Sequence, residues 1–273
     1  MSFIQKLEIR WHEHKTLVCV GLDPDPVRFP EIIGDGPDAI FAFSRAIVDA
    51  TADLVCAYKP QIAHFASLSA EDQLKDIIDY IHSEYPDVPV ILDAKRGDIG
   101  STAERYAREA FERYQADAVT VNPYLGIDGV KPFTDYADKG VILLCRTSNP
   151  SAREFQDLDV GGIPLYEQVA TTIANNWNQN NNCALVVGAT WPEQLGKIRK
   201  IIGDMPILVP GIGAQGGDLE GTLRHGLNSQ QAGLIISSSR GVLYASKETD
   251  FAQAARIVVS EMNSVIQQTI DDL

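Results

Sequence analysis

Residues 88–104 read VPVILDAKRGDIGSTAE. An aliphatic run, Val88–Leu92, gives way to Asp93, Lys95, Arg96 and Asp98, and Ser101 with Glu104 then forms the S-x-x-E pattern of a capping box. The spacing predicts a strand that ends near Asp93, a tight turn at Gly97 and a helix that starts just beyond. One strand-then-helix unit with a charged junction is the local reading.

Seven further runs repeat it: Leu17–Val20, Leu54–Tyr58, Ala118–Val121, Gly140–Cys145, Ala184–Val187, Ile207–Val209 and Leu234–Ser237. Most are rich in Val, Ile and Leu, as strands covered on both faces should be. Between them apolar residues recur at helical spacing, as in Ile40, Phe43, Ile47, Ala50 and Leu54, or Leu74, Ile77, Ile78 and Ile81. The tail keeps an apolar face of Ala254, Ile257, Val258, Met262, Val265 and Ile266. Eight units in 273 residues, about 34 residues each, predict a single (β/α)8 TIM barrel over 1–273, with no linker in the series. Asn149 to Pro164 reads as a loop on the active face and Asn180 to Asn182 as a polar turn. The N-terminal piece with Trp11, His12 and His14 is expected to cover the barrel bottom.

Composition narrows the function classes. Hydrophobic residues are 45% and charged residues 22% of the chain, an ordinary globular mix. The formal charge of −14 opposes the basic footprint of a nucleic-acid binder and disfavours anionic membranes. No apolar run reaches membrane-spanning length and Met1–Arg10 has no secretory core, so a cytoplasmic protein is expected. Cys19, Cys56, Cys145 and Cys183 lie far apart in strand-like runs and read as small core hydrophobes, with no metal cluster. The five histidines form no triad spacing, and Trp11, Trp177 and Trp191 read as packing residues.

In such a barrel, chemistry sits at the carboxyl ends of the strands. Those ends carry Asp23, Lys59, the Asp93/Lys95/Asp98 group, Asn122, Thr147 with Ser148, the GIGAQGG stretch at 211–217, and Arg240. Asp93 and Lys95, two apart on a strand, should face the same mouth, with Asp98 one turn later. A lysine between carboxylates keeps its proton, which points to an acid and against a Schiff-base nucleophile. Gly211–Gly216 fits G-x-G-x-x-G, yet no acid follows about 20 residues on, so a dinucleotide reading fails and a barrel phosphate site with Arg240 fits better. Two readings stay open for Asp23, an acceptor for sugar hydroxyls or a turn cap before Pro24. Two also stay open for Ser148, base recognition or a turn cap in SNPS.

DAKRGDIGSTAERYA at 93–107 resembles the D-x-K-x-x-D signature of the orotidine 5′-phosphate decarboxylases, in the wording of their second bacterial type. VGLD at 20–23, YKP at 58–60, TSNP at 147–150, PGIGAQGG at 210–217 and Arg240 follow in the family's order, so the resemblance spans the chain. His64-Phe65-Ala66 departs from the aromatic pair and acid expected there.

The resemblance implies conversion of orotidine 5′-phosphate to uridine 5′-phosphate and carbon dioxide, the last step of UMP biosynthesis, with no cofactor and no metal. Lys95 would protonate C6 within a Lys59/Asp93/Lys95/Asp98 network, Asp93 facing the substrate carboxylate. A homodimer with shared sites is implied, Asp98, Ile99 and Thr102 reaching into the neighbour's cleft. Asp23 would take ribose hydroxyls, Ser148 the pyrimidine, and Pro210, Gly211, Gln215 and Arg240 the phosphate, under a lid at Gly211–Gly221. The rival readings are a Mg²⁺-dependent sugar-phosphate decarboxylase or synthase of the same superfamily, a non-catalytic nucleotide binder, and a Schiff-base aldolase using Lys95. Lys59, where the magnesium enzymes carry an acid, opposes the first.

Overall fold

The computed structural model describes residues 1–212 and 217–273. Eight parallel strands form one sheet: β1 Val18–Leu22, β2 Ala57–Pro60, β3 Ile91–Arg96, β4 Ala118–Val121, β5 Gly140–Arg146, β6 Cys183–Val187, β7 Ile207–Pro210 and β8 Leu234–Ser238. The order is β2-β1-β8-β7-β6-β5-β4-β3, and the parallel bridges Tyr58 to Val90 and Gln61 to Asp93 close β2 onto β3. The result is the expected (β/α)8 barrel. All eight predicted runs become strands, although β2 starts at Ala57, because Ala52–Leu54 winds into a 3₁₀ turn.

The helices are α1 Phe3–His12, α2 Pro37–Thr51, α3 Ile62–Ala66, α4 Glu71–Glu84, α5 Gly100–Arg108, α6 Ile127–Thr134, α7 Leu165–Thr172, α8 Pro192–Ile202, α9 Leu219–Gly226, α10 Arg240–Leu243 and α11 Phe251–Asp271. Amphipathic spacing explains the outer ring: Leu74, Ile77, Ile78 and Ile81 of α4 are all fully buried. In α11 the buried face is Phe251, Ala255, Val259, Ile266 and Thr269, whereas Ile257 and Val265 are each 49% exposed. The expected tail face was therefore rotated from the true one. The four cysteines are buried and free. Among the described residues no helix is long and apolar enough to cross a membrane.

Helix α5 begins where the capping pattern placed it, yet Ile99 is the N-cap position and no side chain caps it. Ser101 sits inside the helix, one residue past its start, so the predicted capping box does not form. The third strand also runs three residues past Asp93, to Arg96, because the backbone stays paired to β4 through a bulge.

Polar side chains staple the amino-terminal end of the barrel. Arg199 donates from Nε to Gly226 O at 2.7 Å, from Nη1 to Gly203 O at 2.7 Å and Met205 O at 2.6 Å, and from Nη2 to Gly233 O at 3.0 Å. Arg10 of α1 donates to Val55 O at 2.8 Å and Ala52 O at 2.7 Å, so the N-terminal helix does cover this end. Phe3 fills the notch beside Gly140, where any side chain would strike its ring. Asn182 is 3% exposed, and its Nδ2 serves Thr134 O at 3.2 Å, Tyr136 O at 3.2 Å and Lys139 O at 3.0 Å. It is a buried staple where the sequence suggested only a polar turn.

Asn182→Ala would remove a buried amide shared by three carbonyls, of which Thr134 O keeps Asn180 Nδ2 and Tyr136 O keeps Lys139 N, and a cost of roughly 1 kcal/mol is expected in urea unfolding with an unchanged m-value. A loss below about 0.5 kcal/mol would show that water replaces the amide there.

Candidate active site

The mouth of the barrel is built around Asp93. Its Oδ2 accepts from Lys59 Nζ at 2.8 Å, and its Oδ1 accepts from Lys95 Nζ at 2.6 Å and from Thr120 Oγ1 at 2.9 Å. Asp93 is 6% and Lys59 5% exposed, while the Lys95 side chain is 47% exposed and reaches the open cleft. Burial works against the charge on Asp93, but the ammonium groups of Lys59 and then Lys95 outweigh it and hold the carboxyl well below its usual range. Burial likewise opposes the Lys59 charge, and Asp93 followed by Asp23 outweighs it, so the lysine is raised above its ordinary value.

The backbone that carries Lys95 to Asp93 is not a regular strand. Between Leu92 and Arg96 β3 advances four residues while β4 advances two, from Val119 to Val121, and Lys95 takes the left-handed conformation with φ of 45°. A non-glycine residue there is strained and needs compensation. Thr120 supplies it: its hydroxyl oxygen accepts from Ala94 N at 3.0 Å and Lys95 N at 2.9 Å while its proton goes to Asp93. Thr120 is 1% exposed and was missed in the sequence, where its signal is the lone polar position in AVTV.

Asp98 is not joined to Lys95 within the chain. Its Oδ1 accepts from Ile99 N at 2.8 Å, so within one chain the array is a carboxylate between two ammonium groups. Ile99 is 57% exposed and Thr102 is exposed on α5. Asp23, at the end of β1, is half-buried, and its Oδ1 has no hydrogen-bond partner among the described residues.

Ser148 lines a cavity of about 540 Å³ together with Asn149, Pro150, Arg153, Thr190 and Trp191. A second buried cation braces this wall. Between Leu144 and Arg146 β5 advances two residues against one on β6, and the fully buried Arg146 lies 4.5 Å from the Trp191 ring centroid. Its Nη1 donates to Thr147 O at 2.8 Å and its Nη2 to Asp157 Oδ2 at 3.0 Å. Nε is 2.7 Å from Asp157 Oδ1 but off the N–H direction, so that contact is ionic without a directed bond. The Asn149–Pro164 loop is thereby tied to the mouth, as expected, by residues that the sequence did not single out.

Pro210 ends β7, and Gly211 with φ of 103° turns the chain so that its carbonyl accepts from Gly217 N at 3.1 Å. This contact joins the two described ends of the GIGAQGG stretch. Gln215 and the middle of the expected lid lie outside the described residues. Arg240 is exposed at the start of α10, following β8.

Comparison with known proteins adds the family. A model described as the orotidine 5′-phosphate decarboxylase / HUMPS family matches residues 16–255. The chain belongs to that family. A relative from Cellvibrio japonicus named orotidine 5′-phosphate decarboxylase is 60% identical over 268 residues, covering 97% of this chain and 98% of its own. The solved structure of the Leishmania donovani OMP decarboxylase superposes with a TM-score of 0.84 at 37% identity, covering 97% of this chain and 99% of that one. Leishmania donovani UMP synthase gives 0.88 at 38% identity, covering 98% of this chain but 56% of that longer chain. Family membership with relatives of this similarity places the chain among the carboxy-lyases.

Lys59→Met would leave the buried Asp93 carboxylate with one ammonium instead of two. A loss of roughly 3 kcal/mol at neutral pH is expected by chemical denaturation. Because the folded Asp93 value is depressed, its stabilisation is complete above the ordinary 3.8 and is lost as pH falls through the lowered value. The depression shrinks in the variant, so its acid-unfolding midpoint should move to higher pH. An unmoved midpoint would mean that Lys95 alone sets the carboxyl.

Proposed function

We propose that the cleft decarboxylates orotidine 5′-phosphate to uridine 5′-phosphate, the closing step of UMP synthesis, with Lys95 as the proton donor and no cofactor. The observation that carries this reading is the exposed Lys95 ammonium held at 2.6 Å by the buried Asp93 carboxylate at the open end of the barrel. The bond from C6 to the carboxylate breaks heterolytically, carbon dioxide departs, and the electron pair stays on C6. The ammonium stabilises that developing charge and then transfers a proton to C6, after which Lys95 regains one from water. Asp93 aims the ammonium and stands against the substrate carboxylate. Lys59, on the other carboxylate oxygen, balances the buried charge. Attraction that grows toward the transition state is what accelerates the step.

Substrate assignments follow from placement. Asp23, with an unpartnered oxygen, suits the ribose hydroxyls, and Ser148 in its walled cavity suits the pyrimidine. Pro210 and Gly211 at the end of the seventh strand and Arg240 after the eighth suit the phosphate, and the resemblance adds Gln215, which lies outside the described residues. Lys59 also opposes the magnesium-dependent relatives. Its ammonium occupies Asp93 Oδ2, where a hard cation would need a free carboxylate oxygen.

Asp98, Ile99 and Thr102 are proposed to complete the cleft of a second copy in a homodimer. Supporting this are an Asp98 carboxylate with no contact to its own Lys95, and an apolar surface nearby with Ile99 57%, Tyr124 83%, Leu125 47% and Ile127 39% exposed. Beside it a groove of about 720 Å³ runs between α5 and α6, lined by Ile99, Arg108, Lys131 and Tyr136 among others. The cytoplasm, where the substrate would be made, is the proposed location.

Turnover of orotidine 5′-phosphate, followed by ultraviolet absorbance with a chelator present, should be undiminished in the natural chain. It should fall by at least about 10⁴-fold in Lys95→Ala, which loses both the proton and the charge. Activity that vanished with chelator and returned with Mg²⁺ would replace this reading by the metal-dependent one. A borohydride-trapped Lys95 adduct would replace it by the aldolase. Mixing inactive Lys95→Ala and Asp98→Ala chains should restore activity, because a hybrid dimer contains one intact shared site, and no recovery would refute the sharing.

A further inference from the structure

The loop after β1 reads DPDPVR at 23–28, and two prolines deprive it of backbone donors that could secure it. Within it Asp25 O accepts from Arg28 N at 2.9 Å, and its remaining ties come from outside. His64 Nδ1 lies 3.3 Å from Pro24 O, and the strongest tie is Tyr244, just past the end of α10 and four residues after Arg240. The Tyr244 hydroxyl donates to Asp23 O at 3.0 Å and accepts from Asp25 N at 2.8 Å, across 221 and 219 residues of chain. Its ring stacks on Phe43 at 5.8 Å between centroids, and the Arg28 guanidinium lies 3.9 Å from the ring centroid. Burial pushes the phenol up to about 12, so it holds its proton as a donor throughout the neutral range.

Two facts make this bridge more than packing. The groups it joins, Asp23 O and Asp25 N, bracket Pro24 directly after Asp23, whose Oδ1 is buried and has no partner among the described residues. The helix it joins them to begins at Arg240. We propose that the Tyr244 hydroxyl is a positioning group for the sugar side of the cleft. It clamps the β1 loop to the helix headed by Arg240 and so fixes the Asp23 carboxylate where a ligand hydroxyl can donate to it. The inference rests on the assignment of Asp23 to the ribose made above. Tyr244 itself touches no reacting atom, so its contribution is felt in binding and not in the bond-breaking step.

Tyr244→Phe keeps the stacked ring and removes only the bridge, leaving Asp23 O and Asp25 N without their partner. Binding of uridine 5′-monophosphate by calorimetry and steady-state turnover of orotidine 5′-phosphate are to be measured for Tyr244→Phe, Asp23→Asn and the double variant. Tyr244→Phe should raise the Kd for uridine 5′-monophosphate and the KM roughly tenfold, with kcat changed by less than about twofold. In the Asp23→Asn background the same substitution should add less than about twofold, since the carboxylate it aims is gone. A purely structural tyrosine predicts the opposite: full multiplication of the two costs, or no change in Kd, and either result overturns the proposal. Asp23→Asn binding the nucleotide as well as the natural chain would remove the Asp23 assignment and this inference with it, leaving the decarboxylase reading intact. Absence of turnover in the natural chain would remove that reading, while the coupling measured in nucleotide binding would still decide the role of Tyr244.

Discussion

A carboxylate only 6% exposed, gripped by two ammonium groups and a hydroxyl, is the constraint around which the mouth of this barrel is arranged. An isolated charge at that depth would be prohibitively costly, so Asp93 can be buried only because Lys59 and Lys95 converge on it. That convergence dictates local geometry. The segment that carries Lys95 to Asp93 is not an ordinary extended strand but contains a bulge and a left-handed residue. Thr120 on the neighbouring strand then takes up the two amides that the bulge releases. The Lys95 ammonium is thus aimed by a strained backbone that a single buried hydroxyl sustains.

The two ends of the barrel handle their exposed strand and helix termini differently. At the amino-terminal end, Arg10, Asn182 and Arg199 donate to backbone carbonyls and close the structure. Burial lowers Arg199 to about 10, still well above neutral pH, so it remains a donor wherever the protein works. At the carboxyl-terminal end, bulges on β3 and β5 and the turn at Gly211 interrupt regular pairing. The bulges re-aim Lys95 and set Arg146 against the Trp191 ring. Stability is concentrated at one end and chemical placement at the other, the division expected of this architecture.

Much of this was legible in the sequence for a simple reason. Doubly covered strands are short aliphatic runs, and their carboxyl ends stand out when charge follows, as Asp93 and Lys95 follow Val88–Leu92. The same logic located Lys59, Asp23, Ser148 and Arg240 at the mouth. It failed for residues whose role depends on a partner far along the chain. Thr120 looks like an ordinary strand threonine until Asp93 is placed beside it, Asn182 like a turn until three carbonyls of another segment meet it, and Arg146 like a surface arginine until Asp157 and Trp191 enclose it. The rotated face of α11 has a related cause, since a helix with apolar residues on several sides is oriented by what it packs against.

Fold class, the strand-by-strand location of the cleft and the residue types within it all follow from periodicity and composition, which are properties of neighbouring residues in the chain. The order of charges across the mouth does not. Sequence spacing suggested Lys95 between Asp93 and Asp98; within one chain, folding puts Asp93 between Lys59 and Lys95 and turns Asp98 toward the head of α5. Which groups meet is set by closure of the barrel, which brings β2 against β3, and by a two-residue bulge that no local pattern announces. Pairing energies between side chains act through space, so they become visible only when the three-dimensional arrangement is known.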